Sequence, residues 1–134
     1  MNIKNKFLIV FNIFFLLYYS FQLLVFTDEF ALSNLGEFNH AIAGLSEIIG
    51  IIFLSLAISL FLVIRSTIKS QLPLFITIFL IQLLILLNFL RYIFTDSPGE
   101  TNLQSITLNA LIFFFGLISS IFFLYKNYRR LQQF

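Results

Sequence analysis

The chain has no cysteine and no tryptophan, one histidine, two prolines and five glycines in 134 residues. Without cysteine it can form no disulfide, no thiolate metal site and no dithiol redox couple. With only His40 besides, a structural zinc site has no ligands to draw on, and neither a metal nor a cofactor is expected. Charge is scarce as well. Asp, Glu, Lys and Arg make up 10% of the chain, against about a quarter in a soluble domain. The eight cations lie beside apolar runs, not in a clustered basic face of the kind that binds nucleic acid. No glycine-rich phosphate loop, HExxH or GxSxG pattern occurs, so the common catalytic signatures are missing too.

Apolar residues fill the place of what is missing. They account for 60% of the chain, and the mean hydropathy is +0.99. A core built from one domain of this length cannot bury that much apolar surface, so lipid must be the solvent for a large part of it. Four apolar runs can be read, at 7–26, 40–64, 71–92 and 102–125. Each is long enough to cross about 30 Å of hydrocarbon as a helix. The expected fold is all-α: four antiparallel transmembrane helices in a single bundle, occupying the whole chain. The first run follows a basic leader, as a signal peptide would. It is long for one, and Tyr18-Tyr19-Ser20-Phe21 offers no small-residue cleavage site, so it reads as an uncleaved span. Between the first two runs, Glu29 to Leu35 has room for a short amphipathic turn at the membrane surface. Asn39 is placed to cap the second helix, and Asp96-Ser97-Pro98-Gly99 reads as a turn before the fourth.

Charge segregation sets an orientation. Lys4, Lys6, Arg65, Lys69, Lys126, Arg129 and Arg130 fall at one end of the spans, and only Arg91 lies towards the other. The acidic residues Asp28, Glu29, Glu37, Glu47, Asp96 and Glu100 lie on or towards the opposite side. The positive-inside rule then places both termini in the cytoplasm. Heavy use of Phe, Ile, Leu and Asn reflects A/T-rich codons and points to the inner (plasma) membrane of a bacterium.

Helical spacing of three, four and seven residues sorts the polar side chains onto faces. Span one aligns Asn12, Tyr19 and Gln22. Span two aligns His40, Gly44, Glu47, Ser55 and Ser59. Span three aligns Thr77, Asn88 and Arg91, and span four aligns Asn109, Gly116 and Ser120. Such stripes are expected to face the bundle interior, because lipid tails satisfy no polar group. On this reading Asn12, Ser55, Ser59, Gly116 and Ser120 face other helices. Glu47, Arg91, Asn88, Asn109, Tyr19, Gln22 and His40 form the candidate ligand-binding set towards the outer side, with Glu47 paired to Arg91. Intramembrane ionisable groups are functional hypotheses by default. The same cluster also reads structurally, as a network that fixes helix register. Gln82 stands off its helix's polar face, where it could mark a second contact, and has no assigned role.

The second run, AGLSEIIGIIFLSLAIS, and the segment RYIFTDSPGE, together with four spans and a long connection after the first, resemble the DUF4345 proteins and their DoxX-like four-helix relatives; Leu90 stands where that pattern usually has glycine. The resemblance implies a fold and brings no settled activity. Three function classes stay open. One is a non-enzymatic protein that binds a membrane lipid or other small amphiphile, or serves as an accessory subunit to another membrane protein. The second is a small transporter working as a homo-oligomer. The third is a membrane enzyme using Glu47 or His40 as acid or base.

Overall fold

The computed structural model describes residues 3–36, 39–95 and 103–133. Glu37 and the expected turn at Asp96-Ser97-Pro98-Gly99 lie outside the described residues. The described residues form five helices and no strand. They are α1 (Ile3–Leu24), α2 (Thr27–Leu35), α3 (His40–Arg65), α4 (Leu72–Thr95) and α5 (Leu103–Leu131). All but α2 are long and apolar enough to cross a membrane, and this is a small polytopic membrane protein.

The connection after the first span carries a helix of its own, α2. Asp28 and Glu29 occupy the first turn of α2, where acidic groups complement the helix dipole. Gly36 ends it with φ 74°, donating its N–H to the Leu32 carbonyl, a left-handed cap that glycine adopts without steric cost. Asn39 then caps α3 as expected, its side-chain oxygen accepting from the Ile42 N–H at 2.9 Å. Pro73 sits in the first turn of α4, where its missing N–H does no harm.

Packing is unequal. α3 lies along α1, α4 lies along α5, and α1 and α5 join the two pairs. α3 and α4 share no extended interface. The central helices bury 39% and 50% of their most apolar stretches, against 28% and 22% for α3 and α4. Heptad spacing explains the central role of α1. Asn5, Ile9, Asn12, Leu16, Tyr19 and Leu23 are all buried, and they recur in alternating steps of four and three. This is the seam that packs two helices at a shallow angle. Its first, third and fifth members are polar.

The register of α5 against α1 follows from those polar members. Asn5 meets Asn127, Asn12 meets Ser119 and Ser120, and Tyr19 meets Asn109. The α1 members are seven residues apart, which spaces the layers by about 10 Å along the bundle. Apolar side chains fill the intervals. Phe113 packs edge-on to Phe15 with ring centroids 5.0 Å apart, and at 4.7 Å from Tyr19. Nearer the other end Phe75 stacks on Phe123 at 4.3 Å.

Candidate functional site

The middle layer lies near the centre of its spans and is made of amides and hydroxyls. Gln82 on α4 is fully buried. Its Nε2 donates to Asn12 Oδ1 at 2.9 Å, and its Oε1 accepts from the Ser120 hydroxyl. Asn12 Nδ2 donates to Ser119 Oγ at 3.1 Å and to the Leu8 carbonyl at 3.0 Å. Ser120 Oγ also lies 3.1 Å from Asn12 Oδ1, so its one proton has two acceptors to choose from. Gly116 makes room for this contact. A Cβ there would stand 3.0 Å from Gln82 Nε2 and 3.0 Å from Phe15.

The outer layer is closed by α2. Tyr19 donates to Asn109 Oδ1 at 2.8 Å, and Asn109 Nδ2 donates to Asn34 Oδ1 at 2.7 Å. Asn34, Asn109 and Tyr19 are all buried. The third layer joins Asn5 Nδ2 to Asn127 Oδ1. Among the described residues, Asn5 Oδ1 is the one buried side-chain oxygen without a donor.

The structure brings together some of the expected site residues and separates others. Tyr19 and Asn109 meet, but they saturate each other and Asn34 instead of opening outward. Gln22 is half-buried and makes no hydrogen bond among the described residues. Asn88, Arg91 and Glu47 are exposed. The expected Glu47–Arg91 pair is not formed within the chain, because the two residues stand on helices that share no extended interface. Arg91 instead lies over the ring of Tyr92, 4.9 Å from its centroid. The side chain of His40 lies outside the described residues. Ser55 is exposed and Ser59 half-exposed, contrary to the expected inward face. Their hydroxyls bond the carbonyls of Ile51 and Ser55 one turn back, at 2.8 and 2.9 Å, so neither needs another helix. The buried face of α3 runs through Ser46, Gly50, Phe53, Ala57 and Leu60, and on it Gly50 approaches Leu24 and Phe53 packs on Tyr19 of α1. A Cβ on Gly50 would fall 2.8 Å from Leu24.

Sequence reasoning missed Asn5, Asn34, Ser119 and Asn127, and it gave Gln82 a second contact without naming the partners. The signal for Asn5 was present in the seven-residue repeat Asn5, Asn12, Tyr19, and that for Gln82 in a lone amide at the middle of span three.

A cavity of about 800 Å³ forms a groove on the outside of the bundle between α4 and α5. Ile76, Phe79, Leu80 and Leu124 form its apolar wall, and Tyr125 and Tyr128 flank it. Lys126, Arg129 and Arg130 line its end, and all three are exposed. Arg130 also borders a smaller cleft of about 260 Å³ shared with Lys69 of the α3–α4 connection. No cluster of three or more metal-ligating side chains exists among the described residues. Comparison with protein-family models, curated proteins and solved structures returns no match to this chain.

Proposed function

We propose that this membrane protein is non-enzymatic and holds an anionic membrane lipid in the groove between α4 and α5. The observation that carries the reading is the pairing of that apolar groove of about 800 Å³ with Lys126, Arg129 and Arg130 at one end. A lipid has the same two-part chemistry, with a chain for the apolar wall and a phosphate for the cations. Tyrosines such as Tyr125 and Tyr128 favour the boundary between tail and headgroup. The interior layers support the same reading, since their amides are engaged with one another and the ligand-sized space lies on the lipid side. The basic end of the bundle carries Lys6, Arg65, Lys69, Lys126, Arg129 and Arg130, and the positive-inside rule assigns it to the cytoplasmic leaflet, where anionic lipids concentrate. The membrane we assign is the plasma membrane of a bacterium.

Native mass spectrometry of the protein released from mild detergent tests this. The expected result is retained phosphatidylglycerol in preference to phosphatidylcholine. Each basic residue near the surface contributes about 1 kcal/mol towards an anionic lipid. Replacing Arg129 and Arg130 by Gln should therefore weaken retention by at least about tenfold, with the thermal melt unchanged. Absence of retained lipid, or retention indifferent to both replacements, would refute the assignment.

A further inference from the structure

Two ionised side chains lie within the candidate spans at the end of the bundle away from the basic connections. Glu47 on α3 and Arg91 on α4 are both exposed, and neither has an ion-pair partner among the described residues. They sit on the two peripheral helices, at the same end of the bundle. Glu47 lies seven residues inside the start of α3, and Arg91 four residues before the end of α4. At 1.5 Å per residue these are about 10 Å and about 6 Å from the helix ends. Side chains leave a helix tilted towards its N-terminus. The tilt carries the start of the Glu47 side chain towards the membrane surface and that of Arg91 towards the interior, which narrows the difference in depth between them; the Arg91 head lies over Tyr92 within its own chain. Within one chain they do not meet, because α3 and α4 share no extended interface.

We propose that the protein self-associates side by side in the membrane, with Glu47 of one copy pairing with Arg91 of a second. The chain itself carries the complement it requires: within the spans at this end it has an exposed charge of each sign on different helices, whereas the exposed Asp28 and Glu29 belong to α2, outside the spans. Copies inserted with the same orientation keep the two residues level in every neighbour. A carboxylate and a guanidinium form a directional, bidentate contact, and pairing removes the cost of leaving either charge unmatched against lipid. Asn88, exposed one turn before Arg91, adds an amide to the same face.

The test uses the full chain, reconstituted in phosphatidylcholine vesicles so that no anionic lipid competes for Arg91. Two populations labelled with donor and acceptor dyes report association by energy transfer. Wild-type protein should associate. Glu47→Arg and Arg91→Glu should each lose self-association by at least tenfold. Mixing these two variants should restore it, since one chain then brings two arginines and the other two carboxylates. Thermal melts establish that each variant is folded. Should a charge reversal prevent insertion, Glu47→Gln and Arg91→Gln give the same reading, each weakening association by several-fold. A wild-type protein that stays monomeric overturns the proposal, as does association that ignores both reversals or a folded mixture that fails to recover. Because the headgroup groove plays no part here, its failure and this one are told apart by the Arg129 and Arg130 replacements.

Discussion

Amides and hydroxyls behave differently in this bundle, and the difference decides which polar residues a reader of the sequence can place. A serine or threonine in a helix can bond the carbonyl one turn back, as Ser55, Ser59, Thr77, Thr95 and Thr107 all do at 2.8–2.9 Å. Such a residue is content on a lipid-facing surface. A carboxamide offers two N–H groups and an oxygen, and its own helix takes only part of that capacity. Asn12, Asn109 and Asn127 each give one N–H to their own backbone and use the rest between helices. Counting both residue types as one polar stripe placed Asn12 and Asn109 correctly and Ser55 wrongly, and it left Gln82 without a role. Gln82 reaches both Asn12 and Ser120 from a third helix, so its replacement by Leu should remove both bonds that tie α4 into the middle layer and leave the Ser120 hydroxyl to bond Asn12 Oδ1 alone. Hydrogen bonds between membrane helices average about 0.6 kcal/mol and reach about 1.7, which sets the expected loss for Gln82→Leu at about 1–2 kcal/mol. Combining it with Asn12→Leu should cost less than the two single losses added together. Equilibrium unfolding of the four proteins would measure this, and strict additivity would mean that the amides do not cooperate.

At the scale of elements, the four long helices were legible because hydropathy over twenty residues is a strong signal, and α1 and α5 were legible in their facing because amides mark them. The short helix α2 was only partly so. Its acidic first turn and Gly36 are visible in sequence, whereas its docking through Asn34 onto Asn109 depends on a contact across 75 positions. The facing of α3 was misjudged for a related reason: the surface that meets α1 is marked by the small residues Gly50 and Ala57, not by polarity. Small residues let helix backbones approach where lipid removes any hydrophobic drive between them. Gly116 serves α5 in the same way, and a Cβ there already crowds Gln82 and Phe15. Gly116→Leu should push α4 away from α1 and cost about 2 kcal/mol, in the range of overpacked cores. Phe114→Leu, on the exposed side of the same helix at 47% exposure, should change stability by under about 0.5 kcal/mol. Comparable melting temperatures for the two variants would contradict the assigned interface.

Taken whole, the molecule is two helix pairs held by a central α1–α5 seam, with α3 and α4 outside it. That arrangement could not be read from the sequence, because periodicity tells which face of a helix is distinctive and not which other face it meets. The ends of the molecule could be read, since the cations cluster by connection, and counting them requires no knowledge of packing. Orientation is therefore the whole-molecule property open to a direct test. The chain has no cysteine of its own, so a single introduced thiol reports without background. Ser33 in α2 and Ser66 after α3 are both exposed and stand at opposite ends of the bundle. Ser33→Cys should react with a membrane-impermeant maleimide on intact cells, and Ser66→Cys only after the membrane is opened. Labelling of Ser66→Cys from outside would invert the molecule. Inversion would carry Lys126, Arg129 and Arg130 to the leaflet poorer in anionic lipid, and the groove between α4 and α5 would lose the argument for an anionic headgroup. The Glu47–Arg91 contact would survive, because it requires only that neighbouring copies share one orientation, whichever that is.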